Sequence, residues 1–254
     1  MMLPHQDDDV SAMARRSYGY GHWDAPYWFI GPEQGMGEHE QNNLEQSLRV
    51  RARAWKELGC SELIDCRKFH CLIGLRRLHC SEPVALQPTW RPLMLLMMSF
   101  LERPSDNQSL RYYQARRWGS CEPWEKEAGE TCVIELSGLA APNLSENIDT
   151  GTFLNERIGV ISDRLRDNPP RLVVMYGRMQ MDSWNSVATG FSGRQFPVED
   201  FAPDLPNTNV LRHGPTILVC TPAPSRPVKV GERYLVNEYW TRLGQRLQAL
   251  NKPH

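Results

Sequence analysis

The chain has 254 residues, of which 41% are hydrophobic, enough to build one sizeable core, and this composition argues against disorder of the whole chain. Its 29 basic residues nearly balance its 30 acidic residues, for a formal net charge of -1. A generally basic nucleic-acid coat is therefore excluded, although a local basic face is not. Twenty-four of the basic residues are arginine, whose planar group suits bidentate contacts with phosphates and bases, but a GC-rich genome produces the same bias.

The N-terminal segment, residues 1–20, is polar, carries three consecutive aspartates at 7–9 and lacks an export signal, so we expect it to be flexible. The longest apolar run, 93–101, is too short to span a membrane and predicts a buried helix, and no membrane partner is expected. Seven cysteines, an odd count without a secretory signal, predict reduced thiols in a cytoplasmic protein.

Short apolar runs alternate with amphipathic windows along the chain. Four runs rich in branched or aromatic residues predict buried strands at 27–30, 132–136, 171–176 and 216–220. Helical spacing predicts helices at 44–58, 90–101, 153–165 and 236–250. This order predicts a three-layer α/β/α fold, in which helices cover both faces of a mostly parallel, four-stranded sheet.

The loops after the predicted strands are the ones to search for a site, because ligands bind beyond the carboxyl ends of parallel strands. They cover residues 31–37, 137–147, 177–184 and 221–226. The long insertion at about 38–131 is expected to form a mainly helical layer on one side of the sheet. We predict a single domain over 21–254.

The first loop surrounds the carboxylate of Glu33 with Gly31, Gly35 and Gly37. Glycines let a backbone approach a phosphate or a base closely, but an ordinary turn after a strand explains them equally well. The spacing is neither that of a Walker loop nor that of a Rossmann fingerprint.

The second and fourth loops also carry candidate groups. Glu135 ends an apolar strand, where a carboxylate is costly unless it points into a site or pairs with an arginine. The loop that starts at Thr221 contains three prolines together with Ser225 and Arg226. Its stiffness suits either pre-organised contacts or a rigid connector.

Taken together, the loops resemble those of the uracil-DNA glycosylase superfamily. There, the first strand of a parallel α/β sheet ends in Gly-x-(Asp/Asn/Ala)-Pro-(Tyr/Gly) and the last in a His-Pro-Ser-type loop. The counterparts here are Gly-Pro-Glu-Gln-Gly at 31–35 and Thr-Pro-Ala-Pro at 221–224. Glu-Leu-Ser-Gly-Leu at 135–139 matches the Asn-Leu-Cys-Pro-Leu segment of the single-strand-selective branch. The resemblance spans the chain from about Tyr27 to the last helix and implies that fold.

Three departures from the family pattern concern the chemistry that the resemblance implies. Glu33 stands where the family has Asp or Asn and keeps an acceptor that orients water and stabilises positive charge on the deoxyribose. Thr221 replaces the histidine that supports the departing base, which leaves a hydroxyl or nearby N–H groups for that role. Glu135 falls where the family places the asparagine that recognises uracil.

The change to Glu135 alters the expected base. An ionised carboxylate has only acceptors and repels O4 of uracil, whereas it accepts a hydrogen bond from N4 of cytosine. A register slip that puts Ser137 or Asn143 in this place is the alternative. Because excision of normal cytosine would destroy the host genome, the sequence predicts a modified cytosine. In this the chain resembles bacterial anti-phage glycosylases that remove glucosylated 5-hydroxymethylcytosine, and Gly35 and Gly37 leave room for the sugar.

We therefore expect a monofunctional DNA glycosylase, acting as a monomer, that flips out a modified pyrimidine, hydrolyses its glycosidic bond and leaves an abasic site. Base recognition is expected from Gln34, Glu135, Ser137, Asn143 and Tyr176. Trp28 and Phe29 are further stacking candidates, but both are typical core residues. The DNA backbone would contact Gly31, Gly35, Ser225 and Arg226, with an extended track at Arg111, Arg116 and Arg117 that also fits a solvated helix face.

Cys60, Cys66, Cys71 and Cys80 lie close together, beside His70 and His79. Such a density suits zinc or an iron–sulfur cluster, but without a Cys-x-x-Cys pair the main expectation is buried thiols and no cofactor. Three other functions stay open. They are uracil repair, a catalytically inactive DNA-binding module of the same fold, and a small-molecule hydrolase or nucleotide-processing enzyme whose Gly31 loop binds a phosphate.

Overall fold

A computed structural model describes residues 7–32, 35–36, 43–121, 129–140, 153–177 and 180–251. The strands in this part of the chain are β1 (Gly19–Tyr20), β2 (Tyr27–Gly31), β3 (Leu63–Ile64), β4 (Thr131–Glu135), β5 (Leu172–Tyr176), β6 (Asn209–His213), β7 (Thr216–Thr221), β8 (Val228–Val230) and β9 (Arg233–Leu235). The helices are α1 (Asp8–Arg16), α2 (Leu44–Glu57), α3 (Cys66–Leu72), α4 (Arg76–His79), α5 (Trp90–Phe100), α6 (Asn107–Arg116), α7 (Leu154–Asp167), α8 (Met181–Ser192) and α9 (Asn237–Leu250).

The central sheet contains seven of the described strands in the order β3-β1-β4-β2-β5-β7-β6. Its middle four, β4, β2, β5 and β7, are parallel to one another. These are the four strands predicted from the sequence, and every residue in them is buried because helices cover both faces. The α/β class and the mostly parallel sheet are therefore confirmed.

The predicted number of strands is wrong. β1 and β3 extend the sheet beyond β4, and β6 pairs antiparallel with β7 at the other edge. β1 and β3 have only two residues each, too few to produce a periodic pattern. β6 carries polar residues and is half exposed, as edge strands often are, so it lacks the apolar run of a central strand.

Two helical layers enclose the sheet. Phe29, Val133 and Val174 point to a core shared with α2, α5 and α9, whereas Trp28 and Ile134 point to a second core shared with α7 and α8. This split follows from the alternation of side chains along each strand. The segment between β2 and β4 contains α2 to α6 with the short β3, and its buried side chains lie mainly in the first core.

Residues 8–16, which the sequence analysis assigns to a flexible segment, form a helix in the structure. Asp7 caps α1 by accepting hydrogen bonds from the N–H groups of Asp9 and Val10. Val10, Met13 and Ala14 are buried against the first core. The aspartates that make this segment look disordered are therefore the cap and first turn of a helix, where negative charge is favourable.

Among the described residues, every helix is too short or too polar to cross a bilayer. The apolar run at 93–101 lies within and just after α5, which packs against α9 and is buried on nearly all sides. α8 was not predicted, although its buried Trp184, Val187, Ala188 and Phe191 have helical spacing.

Candidate functional site

The carboxyl ends of the four parallel strands bring together Glu135, Gly31, Tyr176 and Thr221, which we call the strand-end row. Gly31 of β2 pairs with Glu135 of β4, and Tyr176 of β5 pairs with Thr221 of β7. β2 lies directly between β4 and β5. In each strand, the residue two positions earlier has its side chain in the first core. Because side chains alternate along a strand, the four positions of the row lie on that same face of the sheet. The fold thus assembles residues that are up to 190 positions apart in the chain.

Gly31 makes room for the ring of Tyr176. A Cβ atom on Gly31 would lie 2.1 Å from the hydroxyl oxygen of Tyr176 and 2.4 Å from the ring carbon that carries it. Any side chain at position 31 would therefore displace the tyrosine. Gly31 itself is buried, which leaves its predicted contact with the DNA backbone without support from the geometry.

Tyr176 is held as a neutral donor. Its burial raises the pKa of the phenol well above the usual value, and the nearby negative charge of Glu135 raises that pKa further. The Tyr176 hydroxyl thus stays protonated at neutral pH and can donate a hydrogen bond beside the carboxylate of Glu135.

Arg157 on α7 supports the end of β4 from the opposite side. Arg157 is 1% exposed, and its guanidinium donates to three carbonyls, those of Glu135 (2.7 Å), Leu136 (2.8 Å) and Ala14 (2.9 Å). Burial lowers the pKa of Arg157 to about 10, although electrostatic interactions with Tyr18 and Glu135 act to raise it. The guanidinium is still a cation at neutral pH, so Glu135, itself only 8% exposed, lies within its field.

Sequence reasoning missed Arg157. In sequence, it is one polar residue of an amphipathic helix, and nothing in the spacing marks it as buried. Its neighbour Tyr18, whose ring lies 4.3 Å from the guanidinium carbon, gives no local signal either. Only the packing of α7 on the end of β4 reveals its role.

The hydroxyl groups of Ser137 and Thr221 are engaged within their own loops. Ser137 donates to the carbonyl of Leu139 and accepts from its N–H group, which makes a local turn. Thr221 is fully buried and donates to the carbonyl of Pro222 (3.1 Å). Both hydroxyl groups therefore make local hydrogen bonds within their loops.

Three predicted backbone contacts lie on the surface. Ser225 and Arg226 are exposed in the loop after β7. Gly35 is exposed as well, and a Cβ atom there would meet nothing within 4 Å. Glu33, Gln34, Gly37 and Asn143 lie outside the described residues, so their roles stay predictions.

Trp28 and Phe29 are core residues, and the suggestion that either one stacks on a base is wrong. Both are fully buried. Trp28 donates its indole N–H to the carbonyl of Ala25 at 2.8 Å, and the Phe29 ring packs against that of Trp118 with 4.7 Å between centroids.

The suggested arginine track on α6 does not reach the strand-end row. Arg117 forms an ion pair with Glu130 at 3.8 Å. Glu130 directly precedes β4, whereas Glu135 ends it, so Arg117 lies at the end of the strand away from Glu135. Arg116 lines a cavity of about 500 Å³ shared with α2 and α3. Arg111 is an exposed residue of α6, as expected of a solvated helix face.

The predicted four-cysteine group does not form. Cys71 and Cys80 form a disulfide with 6.4 Å between their Cα atoms, which corrects the expectation that all seven cysteines are reduced. Cys60 is half-buried and unbonded. Cys66 is instead grouped with the two histidines that the sequence places beside the cysteines.

This second group, Cys66, His70 and His79, is buried in the helical layer, and we call it the Cys–His cluster. One potential ligand atom from each residue lies within 4.8 Å of the other two. Burial raises the pKa of the Cys66 thiol, and it lowers the pKa of His70 well below the usual value and that of His79 to about 4. All three side chains are therefore uncharged at neutral pH when no metal is bound.

The chain matches no protein-family model and no curated protein. The resemblance to the uracil-DNA glycosylase superfamily therefore stays a prediction from the loops and their positions in the sequence.

Proposed function

We propose that the protein is a monofunctional DNA glycosylase that excises a modified pyrimidine base and leaves an abasic site. The substrate that suits the site best is a hypermodified cytosine such as glucosylated 5-hydroxymethylcytosine. The strand-end row is the observation that carries this proposal. It places a buried carboxylate, Glu135, and a protonated hydroxyl, Tyr176, on the two strands that flank Gly31, at the edge of a parallel sheet where ligands bind. Such a pair offers one acceptor and one donor to the edge of a flipped base.

Glu135 would select the base. An ionised carboxylate accepts a hydrogen bond from the N4 amino group of cytosine. The O4 atom of uracil is itself an acceptor and would be repelled by the carboxylate. The positive charge of Arg157 and its three hydrogen bonds to carbonyls support this carboxylate and fix the end of β4. A pre-organised acceptor of this kind rejects a base that lacks the matching donor.

Hydrolysis would depend on Glu33 to orient water and to stabilise positive charge on the deoxyribose. The departing base needs a donor as well. Because the Thr221 hydroxyl donates to Pro222, this role passes to the peptide N–H groups of the same loop, and Ala223 and Ser225 are non-proline residues that can supply them.

The loop and hairpin after β7 offer a surface for the DNA backbone. Arg226 precedes the antiparallel pair β8 and β9, in which Lys229 pairs with Tyr234 and both are exposed. Arg233 is exposed on the same hairpin, near the single carboxylate of Glu232. Cations of this kind bind phosphates, and an exposed aromatic ring can stack on an unpaired base.

The test is a glycosylase assay on matched DNA strands that contain uracil, cytosine, 5-hydroxymethylcytosine or its glucosylated form, with abasic product as the readout. We expect product from the modified cytosine alone. Glu33→Gln should remove it, and Glu135→Met, which has a similar size but no carboxylate acceptor, should lower it by about tenfold to a hundredfold, as expected when an acceptor worth about 1–3 kcal/mol is lost. Glu238→Gln, on the surface of α9, is the matched control and should retain full activity.

Uracil release by the wild-type chain would contradict the role of Glu135 and favour uracil repair. A folded protein that yields no abasic site on any substrate would contradict glycosylase activity itself.

A catalytically inactive DNA-binding module of the same fold is the second candidate. The observation in its favour is the buried Thr221 hydroxyl, which is bonded within its loop where the family has a histidine. DNA retention that weakens with added salt, in the absence of any abasic product, would identify this function.

A further inference from the structure

The Cys–His cluster has the arrangement of a metal site. Cys66 and His70 lie four residues apart on the same side of α3, and His79 is the last residue of α4. The Cys66 sulfur lies 3.5 Å from Nδ1 of His70 and 3.8 Å from Nε2 of His79. In tetrahedral zinc, bond lengths of about 2.3 Å to sulfur and about 2.0 Å to nitrogen place neighbouring sulfur and nitrogen ligands about 3.5 Å apart.

The cluster is buried against aromatic side chains, and the charged groups near it include Arg51, Arg67 and Asp65. Cys66, His70 and His79 are 0%, 4% and 2% exposed. The rings of both histidines pack against Trp90, with 5.5 Å and 5.4 Å between centroids. Three polar side chains buried in this way cost free energy unless they are paired or bind a ligand.

We propose that Cys66, His70 and His79 bind a single zinc ion that holds α3 and α4 together. One thiolate and two imidazoles are a donor set that zinc prefers, and three protein ligands leave the fourth position to a small non-protein ligand. The site lies outside the strand-end row, so the proposal does not depend on the glycosylase function.

Binding requires a defined proton balance. Nδ1 of His70 lies 2.7 Å from the carbonyl oxygen of Cys66 and donates to it in the metal-free state. When zinc takes Nδ1, that proton moves to Nε2 of the same ring, and the Cys66 thiol loses its proton to solvent as the zinc–sulfur bond forms. One proton is thus released for each zinc ion bound.

The Cys71–Cys80 disulfide joins the same two elements. Cys71 follows His70, and Cys80 follows His79. The bridge therefore constrains the distance between the ligand residues before metal binds, which reduces the entropy that binding must overcome.

The experiment measures zinc in the full-length protein, purified without chelators, by mass spectrometry of the metal content. We expect about one zinc ion per chain in the wild type and a loss of most of it in Cys66→Ala and in His79→Phe. Cys132→Ala is the matched control, because Cys132 is also a buried free thiol but lies on the other side of the sheet. It should keep its zinc.

Cobalt substitution gives a readout that does not depend on variant stability. The wild-type chain loaded with Co²⁺ should show absorption from tetrahedral cobalt together with a sulfur-to-cobalt charge-transfer band, and added zinc should remove both. Absence of zinc and of these bands in the folded wild-type chain would overturn the proposal. Zinc that stays at full stoichiometry in folded Cys66→Ala or His79→Phe would overturn it equally.

Discussion

The strand-end row and the Cys–His cluster are both polar groups buried within one fold, but they are stabilised differently. In the row, backbone pairing sets the positions, and the buried guanidinium of Arg157 donates a hydrogen bond to the carbonyl of Glu135. In the cluster, the side chains are neutral, and burial lowers the pKa of His79 to about 4. A buried group that keeps its charge needs a counter-charge and hydrogen bonds, whereas a group that loses its charge needs only packing until a metal binds. The first arrangement suits recognition of a polar ligand, and the second suits a structural ion.

The largest expected effect is the loss of Arg157. Arg157→Met leaves three buried carbonyls without their donor and should lower the free energy of unfolding by about 3–5 kcal/mol, measured by urea denaturation. Arg164→Met on the same helix removes a partly exposed ion pair with Glu62 and should cost at most about 1 kcal/mol. Equal effects of the two substitutions would show that Arg157 does not hold the end of β4.

Removal of the disulfide should lower the stability of the fold and weaken the Cys–His cluster without changing the strand-end row. Cys71→Ser with Cys80→Ser opens a short loop, and the chain-entropy estimate for a loop of this size is about 2–3 kcal/mol of stability. We also expect weaker zinc binding, measured by competition with a chromophoric chelator, and unchanged glycosylase activity at a temperature where the variant is folded. A change in base specificity would mean that the two regions are coupled.

Gly31→Ala tests the packing of the row. The new methyl group would overlap the Tyr176 hydroxyl, so we expect a loss of about 1–3 kcal/mol in the free energy of unfolding. In a double-mutant cycle, Tyr176→Leu should remove most of this penalty, because the clashing atoms are gone. Additive effects would contradict the close approach of the ring to Gly31.

Ser137→Ala should have the smallest effect. It tests whether Ser137, instead of Glu135, lies at the position that recognises the base. The hydroxyl makes only a local turn with Leu139, so its loss should cost about 1 kcal/mol of stability. The ratio of products from modified cytosine and uracil should not change. A shifted ratio would place Ser137 at the base in the role assigned to Glu135.

Much of the row could be predicted from the sequence. Four buried runs specify central parallel strands, and parallel strands end at one edge, so Gly31, Glu135, Tyr176 and Thr221 were expected to meet. The sequence does not show that Tyr176 lies over Gly31 or that the Thr221 hydroxyl is occupied by Pro222. Both depend on side-chain packing and on hydrogen bonds that have no periodic signal.

The cluster could be predicted only in part. The density of Cys and His residues at 60–80 indicates soft ligands, but which of them meet depends on how α3 and α4 pack. Pairing of Cys71 with Cys80 leaves Cys66 to the two histidines, and no spacing rule distinguishes these outcomes. Long-range contacts between short helices lie beyond what hydrophobic periodicity encodes.

Base recognition by Glu135 can be tested directly, because a change of this residue should change the base that is released. Glycosylase activity of the wild type and of Glu135→Asn should be compared on DNA that contains glucosylated 5-hydroxymethylcytosine or uracil at the same position. We expect the wild type to release only the modified cytosine, and we expect the asparagine variant to lose this activity by about tenfold or more and to gain uracil release. An unchanged preference in the folded variant would contradict the assignment of Glu135 to base recognition.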